Sequence, residues 1–459
     1  MVRRLMHGLG GLCFITSLVY IYQAVFPSDW AYTTFSIMAG VLLAFAIFFV
    51  RRSSRVAALL LICAGTIIFV YHDVHVLHMV QGLGQNINLL TLFLVVPFIG
   101  VVMSIGGYLT ALKQLIQEQE QDGQAHPYRL SSILIGTMGF ILNLGVLPIT
   151  QRIAEESFSS YEKKKMGMVM LRAFNFCVYW SPYFVNVGLV VVLFDVSWLN
   201  IGWAGFVIAL VYLLISALFF RLIQFENDRK HERRKVNKPI AHSDAANKIK
   251  ALIIWSISLF ITSVILDLLV EVNMLTIVSI LALVYPLIWA GAIGVLKEYL
   301  EEVVKNIFTS FERLKNEIAV FISAGYFGVA LSYTEAGEWA SSAIFALSFG
   351  SVYLMSVLII SFSVVLALVG IHPVIVLIGV GSSLSPALFG VSPEFMALVL
   401  ILAWAMSTSV SPFSGSVLMT SALINESPWT VSQKNWLFNG ILMLILPLVL
   451  YLMFVLNLI

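Results

Sequence analysis

The sequence predicts an all-α polytopic membrane protein, with about eleven transmembrane helices plus two re-entrant hairpins in two inverted repeats. Three observations lead there. Of the 459 residues, 60% are hydrophobic and only 11% are charged, against about a quarter charged in a water-soluble chain. Apolar runs recur at roughly the 20 residues that a helix needs to cross a ~30 Å hydrocarbon layer. Two further runs are interrupted near their middles by Gly and Pro. This composition excludes collagen-like, disordered, coiled-coil and soluble-enzyme classes. A balance of 26 Lys and Arg against 24 Asp and Glu gives no reason to expect nucleic acid as a partner. Cys13, Cys63 and Cys177 all lie in apolar runs, so neither a disulfide framework nor a thiolate metal site is available.

Crossings are expected at 8–26, 30–50, 56–71, 87–109, 166–196, 201–223, 251–270, 274–296, 317–333, 394–424 and 437–456. Backbone groups in hydrocarbon need internal partners, which makes helices the natural form for such runs. The interrupted stretches, about 131–157 and 349–382, fit poorly as single crossings. If each enters and leaves on one side, 25 of the 26 basic residues fall on a single face. The exception is Arg172, inside a crossing. By the positive-inside rule this multi-pass chain has a cytoplasmic N-terminus and an external C-terminus. Arg3 and Arg4 before 8–26 resemble a signal peptide, but no small-residue cleavage site follows. The stretch is read as an uncleaved first helix. The sequon Asn425-Glu426-Ser427 falls on the cytoplasmic face, where it would be unused.

The chain divides at a basic segment, 224–250, read as a solvated cytoplasmic linker. Residues 1–29 form an extra first helix. Residues 30–223 form a first repeat, whose hairpin near 131–157 opens to the cytoplasm. Residues 251–459 form a second repeat, whose hairpin near 349–382 opens outward. Two motif pairs recur in the same order. Leu144-Gly145-Val146-Leu147-Pro148-Ile149 matches Val369-Gly370-Ile371-His372-Pro373-Val374, and Ser181-Pro182-Tyr183-Phe184 matches Ser411-Pro412-Phe413-Ser414. Five crossings per half is an odd number, so the second copy inserts upside down. Inverted repeats with matched helix interruptions point to a binding site near the membrane midplane.

The candidate site residues follow from those interruptions. Proline removes an N–H and obstructs the carbonyl four residues earlier, so Gly145 with Pro148, and Gly370 with Pro373, break their helices at mid-depth. Asn143 and His372 stand at the two tips. Helix ends meeting there offer free N–H groups to an anion and free carbonyls to a cation. Ser181, Pro182 and Asn186 mark one unwound segment, and Ser411, Pro412, Ser414 and Ser416 the other. Hydroxyl and amide groups can coordinate a small cation or bind a carboxylate without a fixed charge. Arg172 is a candidate gating or anion contact, since charge within a crossing is costly and usually functional. It lies about two turns from Lys165, however, and could instead reach the interface.

His72, His75 and His78 spread over too broad an arc for joint ligation, so no metal or catalytic group is expected. No cofactor is expected either, beyond Na⁺ as a coupling ion. The residues 297–316 repeat apolar side chains at helical spacing and are read as a helix lying on the cytoplasmic interface. The stretches 109–122 and 334–347 precede the two hairpins and are read as horizontal arms.

In its tip motifs (Leu144–Ile149 and Val369–Val374), its Ser-Pro breaks (Ser181–Asn186 and Ser411–Ser416) and its order of spans, nearly the whole chain resembles the ion transporter superfamily. That superfamily includes divalent-anion/sodium symporters, arsenite permeases and the large membrane subunits of tripartite periplasmic transporters. The dicarboxylate branch carries Ser-Asn-Thr at its tips, where this chain has Asn143 and His372. The resemblance implies a homodimer working by an elevator movement. The matched interruption of both halves points to a non-enzymatic secondary transporter, whose cargo would be a small anionic solute coupled to Na⁺ or H⁺. Two alternatives remain open: an exporter or flippase for a lipid-linked or amphipathic substrate, and an integral membrane enzyme.

Overall fold

The structure is a computed structural model that describes residues 2–121, 126–232, 244–270 and 272–459. Its helices are, in order, α1 (Val2–Val25), α2 (Asp29–Phe49), α3 (Arg52–Tyr71), α4 (Val76–Gly82), α5 (Ile87–Val95), α6 (Pro97–Ile105), α7 (Tyr108–Gln121), α8 (Pro127–Leu142), α9 (Val146–Ser157), α10 (Lys163–Val178), α11 (Val185–Phe194), α12 (Trp198–Leu218) and α13 (Asp244–Leu269). They continue with α14 (Met274–Ala292), α15 (Leu296–Leu331), α16 (Ala336–Leu347), α17 (Val352–Leu368), α18 (Pro373–Ser383), α19 (Pro393–Val410), α20 (Gly415–Ile424) and α21 (Pro428–Val455). Two short strands, β1 (Ser160–Glu162) and β2 (Lys230–Glu232), pair antiparallel.

Among the described residues, eleven helical stretches are long and apolar enough to cross a membrane, so the chain is an all-α polytopic membrane protein. The membership differs from the sequence expectation at two places. Pro127–Ser157 has the length of a crossing, whereas α10 and α11, expected as one crossing at 166–196, are not among the eleven.

Length misleads for Pro127–Ser157. The backbone N–H of Glu162, just beyond α9, donates to the Tyr128 hydroxyl at the start of α8 across 3.0 Å. A straight helix of 31 residues would hold those ends about 46 Å apart. The segment therefore folds back on itself. The second interrupted segment does likewise. The Ser385 N–H, after α18, donates to the Ser341 hydroxyl in α16 across 3.1 Å, and the Phe345 and Phe389 rings sit 6.0 Å apart. Between α16 and α17 the axis turns by 114°.

The broken helices that follow run antiparallel to each other. Lys164 at the start of α10 pairs with Glu426 beyond the end of α20. At the opposite end, Asn200 in the first turn of α12 donates to Glu394 at the start of α19 across 3.4 Å. Matching backbone devices close both. Asp195 after α11 and Asn425 after α20 take left-handed φ of 50° and 54°. Ser197 and Ser427 then cap the next helices through Leu199 N–H and Thr430 N–H, each hydroxyl accepting from an otherwise orphaned donor.

Two expectations need correction. Residues 297–316 do not form a separate interfacial helix: α15 continues through them without a break for 36 residues. The polar Lys315-Asn316-Glu317 is no helix breaker, and no Gly or Pro stands between Leu296 and Ala324. The linker is also more than a solvated strand of chain where it is described. Asp228 accepts the backbone N–H groups of Lys164 and Lys165, each at 2.9 Å, a favourable place for an acid at a helix N-terminus. The linker residues 233–243 lie outside the described residues.

Candidate functional site

The two fold-back tips and the two helix breaks meet at one cavity of about 120 Å³. Its lining includes Asn143 and Leu144 from the first tip, and His372 and Pro373 from the second. The breaks contribute Phe184 to Asn186 and Ser414 to Ser416, while Phe93 of α5, Phe174 and Val178 of α10, Glu317 and Phe321 of α15, and Trp404 and Thr408 of α19 form the remaining wall. Six of the residues singled out in the sequence are thus brought together: Asn143, Asn186, His372, Pro373, Ser414 and Ser416.

Each tip is built around one residue with positive φ. In the second it is Gly370, at φ 95°, a value open to glycine because it has no Cβ. In the first it is Asn143 at φ 53°, whose side-chain oxygen accepts from Leu144 N–H at 2.7 Å. Gly145 itself sits at an ordinary φ of −60°. The structural correspondence therefore runs Asn143 to Gly370 and Val146 to Pro373, two residues away from the pairing that the Gly and Pro positions suggest. Pro373 opens α18 where its missing N–H costs nothing. Pro148 lies in the first turn of α9 for the same reason.

Ser181 and Ser411 do not line the cavity. Ser181 donates to the Phe140 carbonyl (2.9 Å) and accepts from Tyr183 N–H (3.3 Å). Ser411 donates to the Ala367 carbonyl (2.7 Å) and accepts from Phe413 N–H (3.2 Å). Each serine therefore ties a helix break to the carbonyl end of the hairpin helix ahead of a tip. Pro182 and Pro412 follow them and also lie away from the cavity wall, as do Gly145, Pro148 and Gly370.

A second matched pair sits one turn further on. The Asn186 amide donates to the Val178 carbonyl (2.9 Å), and the Ser416 hydroxyl donates to the Thr408 carbonyl (3.1 Å). Ser414 also donates to Thr408, at 2.6 Å. Carbonyls released by the unwound segments are thus partly occupied from within. The opposite helix ends face the cavity: α11, α18 and α20 all begin at lining residues. The first turn of α11 has no side-chain cap, so its leading N–H groups lack intrahelical partners.

Three further polar groups complete the wall. The Asn186 side-chain oxygen and Oε2 of Glu317 are buried with no hydrogen-bond partner among the described residues. His372 Nδ1 accepts from Val374 N–H at 3.2 Å. A backbone N–H can only donate, so a neutral His372 ring carries its proton on Nε2. Glu317 was not identified from sequence. It stands at the polar start of an expected crossing, next to Lys315 and Asn316, where an acid reads as interfacial.

Arg172 lies elsewhere. It is 4% exposed, its Nε donates to the Asn435 side-chain oxygen (3.2 Å), and its guanidinium carbon sits 4.0 Å from the centre of the Phe438 ring. It lines a separate cavity between α8, α10 and α12. Among the described residues no three His, Cys, Asp or Glu side chains are grouped for a metal. His75 caps α4 through Leu77 N–H at 3.2 Å.

The chain matches no protein-family model and no curated protein. Among solved structures it is similar to the YdaH transporter of Alcanivorax borkumensis, described as having an unusual topology. The identity is 12% and the TM-score 0.38, over 80% of this chain and 84% of that one. Similarity at this level transfers neither substrate nor mechanism.

Proposed function

We propose that the protein is a secondary transporter of the elevator type that moves a small anionic solute together with Na⁺ or H⁺. The observation that carries this reading is the convergence of both tips and both breaks on one cavity. In it, two re-entrant hairpins and two discontinuous helices from inverted halves present their ends to a common point. Helix N-termini attract anions through their partial positive charge and free N–H groups. Three of them at the cavity, with the Nε2 side of His372, would hold an anion without any lining Lys or Arg. A volume of about 120 Å³ is well below the ~300–1,000 Å³ of sites for drug-sized ligands. That favours a small solute over the amphipathic substrate of the exporter alternative.

Glu317 is the acid on the cavity wall, and its Oε2 lacks a partner among the described residues. An acid there can take a proton or join the Asn186 oxygen in holding Na⁺, which gives the coupling cation a place beside the solute. In this reading the N-terminus is cytoplasmic and the C-terminus external. The hairpins and broken helices move as a unit against α1 to α3 and α13 to α15, within a homodimer.

Uptake into proteoliposomes tests the proposal. Labelled small carboxylates and oxyanions should accumulate when an inward Na⁺ or H⁺ gradient is imposed, and Asn186→Ala and Ser416→Ala should each raise KM. Folded, reconstituted protein that moves no anion under any gradient would overturn it.

A further inference from the structure

We infer that the cavity between α8, α10 and α12 is a binding site for an anionic lipid of the surrounding bilayer. This cavity is about 700 Å³ and shares no lining residue with the central one. Its walls are largely alkyl and aromatic, from residues such as Ile133, Phe176 and Leu213, and among the described residues its only charged lining is Arg129 and Arg172. An apolar trough with two cations and no acid complements a ligand with a hydrocarbon tail and an anionic head.

The state of Arg172 supplies the second, independent observation. Burial of a guanidinium is costly unless its donors are satisfied. Nε is satisfied by Asn435 and the ring of Phe438 covers one face, yet Nη1 is buried with no hydrogen-bond partner among the described residues. A phosphate or carboxylate oxygen in the cavity would supply that partner. A planar guanidinium is well suited to this, since it presents several donors to such a group.

The entrance identifies the source. Ile133 is 54% exposed and Leu213 is 41% exposed, and both line the cavity. Its mouth therefore opens on the apolar outer surface of the protein, and the occupant enters sideways from the bilayer. Arg129 and Tyr128 lie in the first turn of α8, where the Glu162 N–H reaches the Tyr128 hydroxyl, and this polar end of the cavity is where the headgroup would sit. The chain would run inward past Gly136 toward Phe176. A bound lipid would then tie the first fold-back segment to α12 without entering the central cavity.

The test uses the full chain in a neutral maltoside detergent and follows thermal unfolding. Dioleoyl phosphatidylglycerol, dioleoyl phosphatidylcholine, oleate and inorganic phosphate are added separately. Binding to the folded state raises the unfolding temperature. Phosphatidylglycerol should do so, while phosphatidylcholine and inorganic phosphate should not. Gly136→Leu should abolish the response by filling the trough. A Cβ at Gly136 meets only the Phe176 ring, at 3.8 Å, so this variant should fold. Arg129→Gln should weaken phosphatidylglycerol binding by about tenfold, the size of one charge-assisted contact. A shift with oleate would support the inference, whereas equal shifts with the two phospholipids, an unchanged response in Gly136→Leu, or a shift reproduced by inorganic phosphate would each overturn it.

Discussion

Glu162 donates its backbone N–H to the hydroxyl of Tyr128 across 3.0 Å, and that bond brings together the two ends of a stretch long enough to be mistaken for a crossing. The relationship makes the first tip a tip. It also sets where Asn143 can reach, because the two helices, of 16 and 12 residues, are about 24 and 18 Å long, each shorter than a ~30 Å layer.

The fold-back predicts a labelling pattern. Single cysteines in place of Arg129 and Ser160, both exposed, are expected to react with an impermeant maleimide from the same side of sealed vesicles. The background would carry Cys63→Ser, since that thiol is exposed. Reaction from opposite sides would mean that Pro127–Ser157 crosses.

Ser181 and Ser411 should matter for stability more than for binding. Ser181→Ala takes the serine donor from the half-buried Phe140 carbonyl, and Ser411→Ala takes one from the Ala367 carbonyl, which keeps the Gly370 N–H at 3.2 Å; each change also removes the acceptor of a backbone N–H, Tyr183 or Phe413. The expected cost is about 1–3 kcal/mol each, read as earlier unfolding in denaturant titration, with solute affinity changed less than by Asn186→Ala. The two bonds sit at different tips, so their costs should add in the double variant.

Glu317→Gln keeps the size of the side chain and removes the charge. The expected result is retained solute binding with the dependence on Na⁺ or pH lost, measured as binding affinity across an ion series. If the dependence survives the substitution, the coupling cation is held elsewhere.

Gly205 of α12 offers a packing test. A Cβ there would lie 2.4 Å from the Tyr179 carbonyl oxygen, a backbone atom at the first helix break that has no side-chain freedom to move aside. Gly205→Ala is therefore expected to destabilise the fold by about 1–3 kcal/mol, as overpacking does, and to disturb the Tyr179–Phe184 segment. Thermal unfolding and solute affinity should both fall.

Much of this architecture is legible in the sequence because its strongest signals are local. Pro and Gly interrupt apolar runs whatever surrounds them, and Ser-Pro recurs where both helices unwind. The register of the tips is not local. Gly145 and Gly370 look equivalent, yet the left-handed position in the first tip went to Asn143, whose side chain bonds Leu144 N–H. The strut serines hid for a related reason: a serine in a polar cluster reads as a ligand until its carbonyl partner, 41 or 44 residues away, is known. Glu317 shows the converse error. Its charge placed it at an interface, and only the unbroken course of α15 past the tips carries it to the cavity wall. For Arg172 the burial cost was evident from its position in an apolar run, but the lateral cavity beside it needed three helices to form.

The unbroken course of α15 has one more effect. A rod of 36 residues is about 54 Å long and would overshoot a layer about 30 Å thick if it stood upright. Its first half exposes the apolar Leu300, Val304 and Phe308, and keeping that face in contact with the layer would require the rod to lean. α18 packs along it and thus rests on a ramp, where any travel carries His372 sideways as well as through the layer.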